Sequence, residues 1–202
     1  MSEQRTEEWF RERMGKVTAS RIADVMTRTK SGYGASRKNY MTELLVERLT
    51  GEREESYINA AMQRGIDEEP IARTEYELDR GVLVDEVGFV QHPSIEMSGA
   101  SPDGLVGDDG MVEIKCPNTA THVETLIAKS VDRKYLLQMQ WQMACTGRAW
   151  CDFVSFDSRM PAELAMVVIR VPRDEVMIEE IAREVTDFLA DLATLESQVR
   201  SV

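Results

Sequence analysis

Two short stretches, Ser101-Pro102-Asp103-Gly104 and Glu113-Ile114-Lys115, constrain this chain more than any other part of it. Between Asp103 and Glu113 there is room for a short strand, a turn at Gly107-Asp108-Asp109-Gly110 and a return strand from Met111 to Lys115. Such a hairpin brings the two carboxylates together. Because successive side chains on a strand point to opposite faces, Glu113 and Lys115 share one face while Ile114 packs on the other. Two acids and an amine gathered in this way are what a magnesium-dependent nuclease needs. Mg²⁺ takes hard oxygen ligands and binds through few carboxylates beside phosphate oxygens, so Asp103 and Glu113 are the expected ligands. Lys115 is expected to orient the attacking water or to stabilise the charge that builds on phosphorus. Adjacent carboxylates are costly without a cation, which predicts a dependence on metal.

A chain of 202 residues with 43% hydrophobic content can bury one sizeable core. A single domain is expected, with basic helices and a loop over 1–38, a catalytic core over 39–171 and an acidic amphipathic helix over 173–200. The three cysteines, Cys116, Cys145 and Cys151, are odd in number and lack C-x-x-C spacing, which argues against a disulfide framework and a structural zinc site. No apolar run approaches the roughly 20 residues of a membrane span, and no signal-peptide pattern is present. A cytoplasmic protein without membrane contact is expected. The net charge of -12 runs against a nucleic-acid partner. However, Met1 to Lys38 holds nine Lys and Arg against five Asp and Glu, which is +4 and leaves -16 for the remainder. Segregation of this kind suits a local basic groove on an acidic body.

Helices are predicted over Thr6 to Arg13, over Thr18 to Met26 with Thr18 or Ser20 as cap, and over Arg37 to Leu49. Thr27 to Ser36 reads as a mobile basic loop. A further helical pattern from Tyr57 to Leu78 contains Pro70, which predicts a kink or restart. Strand-type residues Val82 to Val90 precede the hairpin, and helices at Thr121 to Ala128 and Asp132 to Thr146 follow it. Two interior strands, Trp150 to Phe156 and Leu164 to Val171, and a helix from Arg173 to Val199 complete an α/β or α+β domain with a central mixed sheet.

Taken together, these blocks resemble the phage lambda exonuclease family, also called the YqaJ viral recombinase family, within the PD-(D/E)XK nuclease superfamily. The match rests on Trp9 with Arg13 and Gly15, Val17-Thr18-Ala19-Ser20, and Gly65 with Glu69 and Ala72-Arg73. It continues through Ser101-Pro102-Asp103-Gly104, Glu113-Ile114-Lys115-Cys116-Pro117, and Tyr135 with Gln138 and Gln140. The resemblance implies a restriction-endonuclease-like core. In it Asp103, Glu113 and the main-chain carbonyl of Ile114 bind Mg²⁺, or Mn²⁺ in its place, Glu69 completes the acidic site, and Lys115 is the catalytic lysine. It further implies a pocket for a terminal 5′-phosphate at Arg13, Ser20, Ser101 and Gln138, with Lys30 of the basic loop near the DNA end. A ring-shaped homotrimer threaded by double-stranded DNA and a single-strand annealing protein as partner are implied as well. The expected activity is processive 5′ to 3′ digestion of one strand to mononucleotides.

The rival enzymes are other nucleases of the superfamily, including endonucleases and an iron-sulfur type. The latter needs a four-cysteine cluster that three cysteines in one chain cannot make. The rival of another class is a non-catalytic DNA-end-binding scaffold, which the intact acid, acid and lysine set disfavours.

Overall fold

The structure, a computed structural model, describes residues 3–30, 32–53 and 59–202. Along the chain come helix α1 (Glu7–Arg13), strand β1 (Val17–Thr18), a 3-10 turn (Ala19–Arg21) leading into helix α2 (Ile22–Val25), strands β2 (Arg28–Thr29) and β3 (Gly32–Tyr33), and helices α3 (Ala35–Thr50) and α4 (Ala60–Arg80). Strands β4 (Val84–Asp85), β5 (Val90–Gln91), β6 (Ser98–Ala100), β7 (Gly104–Val106) and β8 (Gly110–Lys115) follow. Helices α5 (Thr119–Ala128) and α6 (Arg133–Thr146), strands β9 (Trp150–Phe156) and β10 (Met166–Pro172), and helix α7 (Glu175–Arg200) complete it. Ser31 of the basic loop, and Tyr57 and Ile58 of the pattern before Leu78, lie outside the described residues.

The expected hairpin is β7–β8, antiparallel, with Gly104 opposite Val112 and Val106 opposite Gly110. Gly107 turns it with φ +54°, a conformation that suits glycine. Gly110 is also held by packing, since a Cβ there would fall 2.0 Å from the Trp150 ring. Strand β8 is the middle of a five-stranded sheet ordered β10-β9-β8-β7-β4. It pairs parallel with β9, which makes the sheet mixed as expected, and α5 and α6 form the long connection that a parallel pair requires.

Alternation along β8 feeds two layers. Val112 and Ile114 pack with Ala72 and Tyr76 of α4, whereas Met111 packs with Met139 and Met143 of α6 on the opposite face. A third cluster joins α2, α3, α6 and α7 through Ile22, Tyr40, Leu44, Trp141, Ile181 and Phe188. A second sheet, β1-β6-β5, lies beside that cluster, with Ala100 of β6 contributing to it.

Three local expectations are corrected, and at Pro70 one of two alternatives is removed. Thr27 to Ser36 is not wholly irregular, because β2 and β3 form a small antiparallel hairpin with Arg28 opposite Tyr33. It is docked on α7, where Tyr33 donates to Glu184 at 3.0 Å, Arg28 pairs with the same carboxylate, and the Arg37 guanidinium lies 3.8 Å from the Tyr33 ring centroid. Helix α4 passes through Pro70 without restarting; burial of Ala72 and Tyr76 against the sheet outweighs the hydrogen bond the proline removes. Neither Thr18 nor Ser20 caps with its side chain, and the helix they precede has only four residues. Finally, β10 is an edge strand with most of its residues partly exposed, not an interior one.

Candidate active site

Asp103 immediately precedes β7, so the register that pairs Gly104 with Val112 sets it against Glu113 one step further on. Its Oδ2 accepts from the backbone N–H of Ile114 at 2.7 Å. Glu113 is fully buried. Its Oε1 accepts from Gln138 Nε2 and its Oε2 from Gln142 Nε2, each at 2.6 Å, and the Lys115 ammonium pairs with Oε1. Both glutamines come from α6, which covers this face of β8.

Burial, and then the charge of Glu113, raise the Asp103 carboxyl well above the usual carboxylate range, with Glu69 adding to the effect. Burial works against the Lys115 ammonium, but Glu113 and Asp103 outweigh it and hold its pKa above the ordinary value. Lys115 is therefore a fixed positive charge. Asp103 and Glu113 share one lysine, so an added cation would favour the charged form of both carboxylates. Among the described residues no three His, Cys, Asp or Glu side chains converge into an all-protein cage. Two carboxylates and a carbonyl are nevertheless the donor class that suits Mg²⁺, which keeps waters and binds few carboxylates. The residues present fit such an ion.

Glu69, on α4, is engaged differently. Its Oε1 accepts from Arg73 at 3.1 Å and its Oε2 from Arg5 at 2.5 Å. Arg5 adopts φ +67°, a left-handed conformation uncommon for a side-chain-bearing residue. Beside it, Gln4 donates to the carbonyls of Val87 and Pro102, each at 2.8 Å. The segment before α1 is thus pinned against the acidic site.

The second group of expected residues divides. Ser101 Oγ accepts from Trp9 Nε1 and from Arg13 Nη1, each at 2.9 Å, and the Arg13 guanidinium lies 4.1 Å from the Trp9 ring centroid. A hydroxyl oxygen accepts through two lone pairs. With both taken, Ser101 is left with an O–H that finds no acceptor among the described residues. Arg13 lines a cleft of about 250 Å³ together with Trp9, Lys16, Ser20, Arg21 and Glu47. Burial lowers its pKa to about 10, which leaves it charged at neutral pH. Ser20 is exposed, its hydroxyl 3.4 Å from that of Thr18. Gln138, expected with this group, lies instead on Glu113. Lys30 sits exposed in the β2–β3 turn.

The profile of the YqaJ-like viral recombinase domain matches residues 8–149. The chain belongs to this family. The matched span of this YqaJ-like domain takes in Trp9, Arg13, both carboxylates, Lys115 and both clamping glutamines, and leaves α7 outside. Two solved structures of LHK-Exo, an alkaline exonuclease from Laribacter hongkongensis, one of them in complex with dAMP, are 54% identical over 97% of each chain, with a TM-score of 0.92. A phage related exonuclease from Haemophilus somnus 129PT shares the fold at 19% identity, with a TM-score of 0.75 over 91% of this chain and 96% of its own. No curated protein matches the chain. The fold is of the PD-(D/E)XK type, as the motifs implied.

Three participants escape a reading of the sequence. Trp9 belongs to the motif, but its role as donor to Ser101 depends on a contact 92 positions away. Arg5 lies in a charged segment without periodicity. Gln142 carries a faint signal, since it follows Gln138 by one helical turn within an otherwise apolar stripe.

Proposed function

We propose that this protein is a Mg²⁺-dependent exonuclease that degrades the 5′-phosphorylated strand of double-stranded DNA from an end, releasing mononucleotides and leaving 3′ single-stranded tails. Mn²⁺ would substitute for Mg²⁺. One observation carries the reading: Ser101, held by Arg13 and Trp9, is separated from Asp103 by Pro102 alone. An anion anchor and a pair of acids are therefore fixed to each other along one stretch of backbone. A terminal phosphate accepting from Ser101 and Arg13 would present the next phosphodiester to Asp103 and Glu113, and positioning of this kind lowers the barrier and sets polarity. Similarity to an alkaline exonuclease that also crystallises with a mononucleotide, dAMP, supports the same reaction class.

In this mechanism Asp103, Glu113 and the Ile114 carbonyl hold the cation. When bound, Mg²⁺ supplies Lewis-acid neutralisation of phosphate charge and makes water easier to deprotonate. Lys115 keeps its proton beside Glu113 and offers an ammonium to the attacking water or to the phosphoryl oxygens. Gln138 and Gln142 hold the Glu113 carboxylate in place, and Glu69 remains balanced between Arg5 and Arg73.

The reading extends to the assembly. A homotrimeric ring around the duplex would reconcile a net charge of -12 with DNA binding, because positive potential is then needed only along the channel. Enclosure would also give processivity. A single-strand annealing protein would receive the 3′ tails, in the cytoplasm, which is that of the host cell if the chain is phage-encoded. The test is digestion of linear duplexes bearing a 5′-phosphate or a 5′-hydroxyl, beside a covalently closed circle, with Mg²⁺ or EDTA and with Lys115→Ala as control. Mononucleotides from phosphorylated ends, needing Mg²⁺ and Lys115, are expected. Cutting of the closed circle would instead indicate an endonuclease, and end binding without cleavage a scaffold.

A further inference from the structure

Helix α6 presents three glutamines at alternate positions, and they are used differently. Gln140 turns away from the acids, donating to the Pro172 carbonyl and accepting from the Asp174 N–H, each at 2.9 Å. Gln138 and Gln142 lie one helical turn apart on the face that meets β8 and grip the two oxygens of Glu113 separately. With Lys115 on Oε1 as well, the carboxylate has three donors distributed over both oxygens. Its plane cannot rotate while all three hold.

The Gln142 amide can face only one way, since reversing it would set its carbonyl against the Glu113 carboxylate. In the orientation it takes, its own Oε1 is sealed from solvent and has no donor among the described residues. A buried acceptor without a donor destabilises a fold, and a methionine of similar size would fill the space without that defect. Packing therefore does not account for a glutamine here. We propose that Gln142 is a positioning residue for the cation site: its N–H fixes Oε2 so that Glu113 presents one orientation of its carboxylate to an ion shared with Asp103. The inference rests on the metal-dependent reading above and adds to it a residue that touches neither ion nor DNA.

The test is calorimetric titration of Mg²⁺ alone, and separately Mn²⁺ alone, into the DNA-free protein as wild type, Gln142→Met and Gln142→Asn. The Asn variant keeps an amide but falls a methylene short of Glu113, so the measurement survives if the Met variant fails to fold. Both variants are expected to bind the ions about tenfold more weakly, the usual scale for losing a partner of a metal ligand. Each variant also takes the donor from the buried Oε2 of Glu113 and should lower the melting temperature in EDTA, so the dissociation constants decide between the readings, and cleavage should recover as Mg²⁺ is raised. A purely structural role would lower the melting temperature and leave the dissociation constants alone. Variants that bind Mg²⁺ within about twofold of wild type would overturn the positioning role while leaving the nuclease reading intact. A wild-type protein that binds neither ion would remove both.

Discussion

Nη1 of Arg13 lies 2.9 Å from Oγ of Ser101, a contact that ties the first helix to the strand end carrying Asp103. It joins a motif near the amino terminus to one 88 positions later and makes the anchor and the acids a single construction.

Removing the anchor hydroxyl should therefore affect recognition of the end more than the chemistry. For Ser101→Ala, the loss of one hydrogen bond to a charged phosphate, about 1.5–3 kcal/mol, corresponds to roughly ten- to hundredfold in binding. KM for 5′-phosphorylated ends should rise on that scale while 5′-hydroxyl ends change little. Initial rates on the two substrates check it, and equal losses on both would show that Ser101 does not read the phosphate.

Trp9 separates stacking from donation. Trp9→Phe keeps a ring beneath the Arg13 guanidinium but removes the indole N–H that reaches Ser101. A neutral hydrogen bond contributes about 0.5–1.5 kcal/mol, so a loss of roughly twofold to tenfold in kcat/KM on phosphorylated ends is expected. Trp9→Ala removes both contacts and should be worse than Phe by a clear margin in the same assay.

Acid stability should depend on Asp157, which is fully buried and accepts from Arg159 Nε at 2.7 Å and from Thr119 Oγ1 at 2.7 Å. The Arg159 hydrogen bonds, aided by Thr119, hold its carboxyl well below the usual range. A depressed folded-state pKa means that the stabilisation is fully present above the unfolded value of about 3.9 and is lost as pH falls through the folded value. In urea titrations the stability gap between wild type and Asp157→Asn should be constant above about pH 5 and should narrow below about pH 4. A gap independent of pH across that window would contradict the assignment.

Thiol chemistry offers a check on packing. Burial, then Glu68 and Glu69, push the Cys116 thiol up to about 12, and burial raises Cys145 and Cys151 further. At pH 8 the native protein should react slowly with a disulfide reagent, Cys116 first as the partly exposed one, while the urea-unfolded chain should titrate all three at once.

The legible parts of the fold were those whose cause is local. Gly107 to Gly110 between alternating residues specifies a hairpin, and the same alternation sends Glu113 and Lys115 to one face with Ile114 on the other. The β2–β3 hairpin was hidden because its strands are two residues long and are held by Glu184, 151 positions from Tyr33. The sequence leaves a kink and a restart both open at Pro70, and the packing of Ala72 and Tyr76, not propensity, decides for a helix that runs on. In the site, residue types announced the acids and lysine, whereas the partner each glutamine chooses could be known only once α6 was laid across β8.

Gln4 and Arg5 rest on Pro102 and Glu69, so any polypeptide joined upstream of them emerges beside the mouth of the acidic pocket. A purification tag placed there would stand beside Glu69 and the residue that precedes Asp103, and its charge would act on the pocket directly.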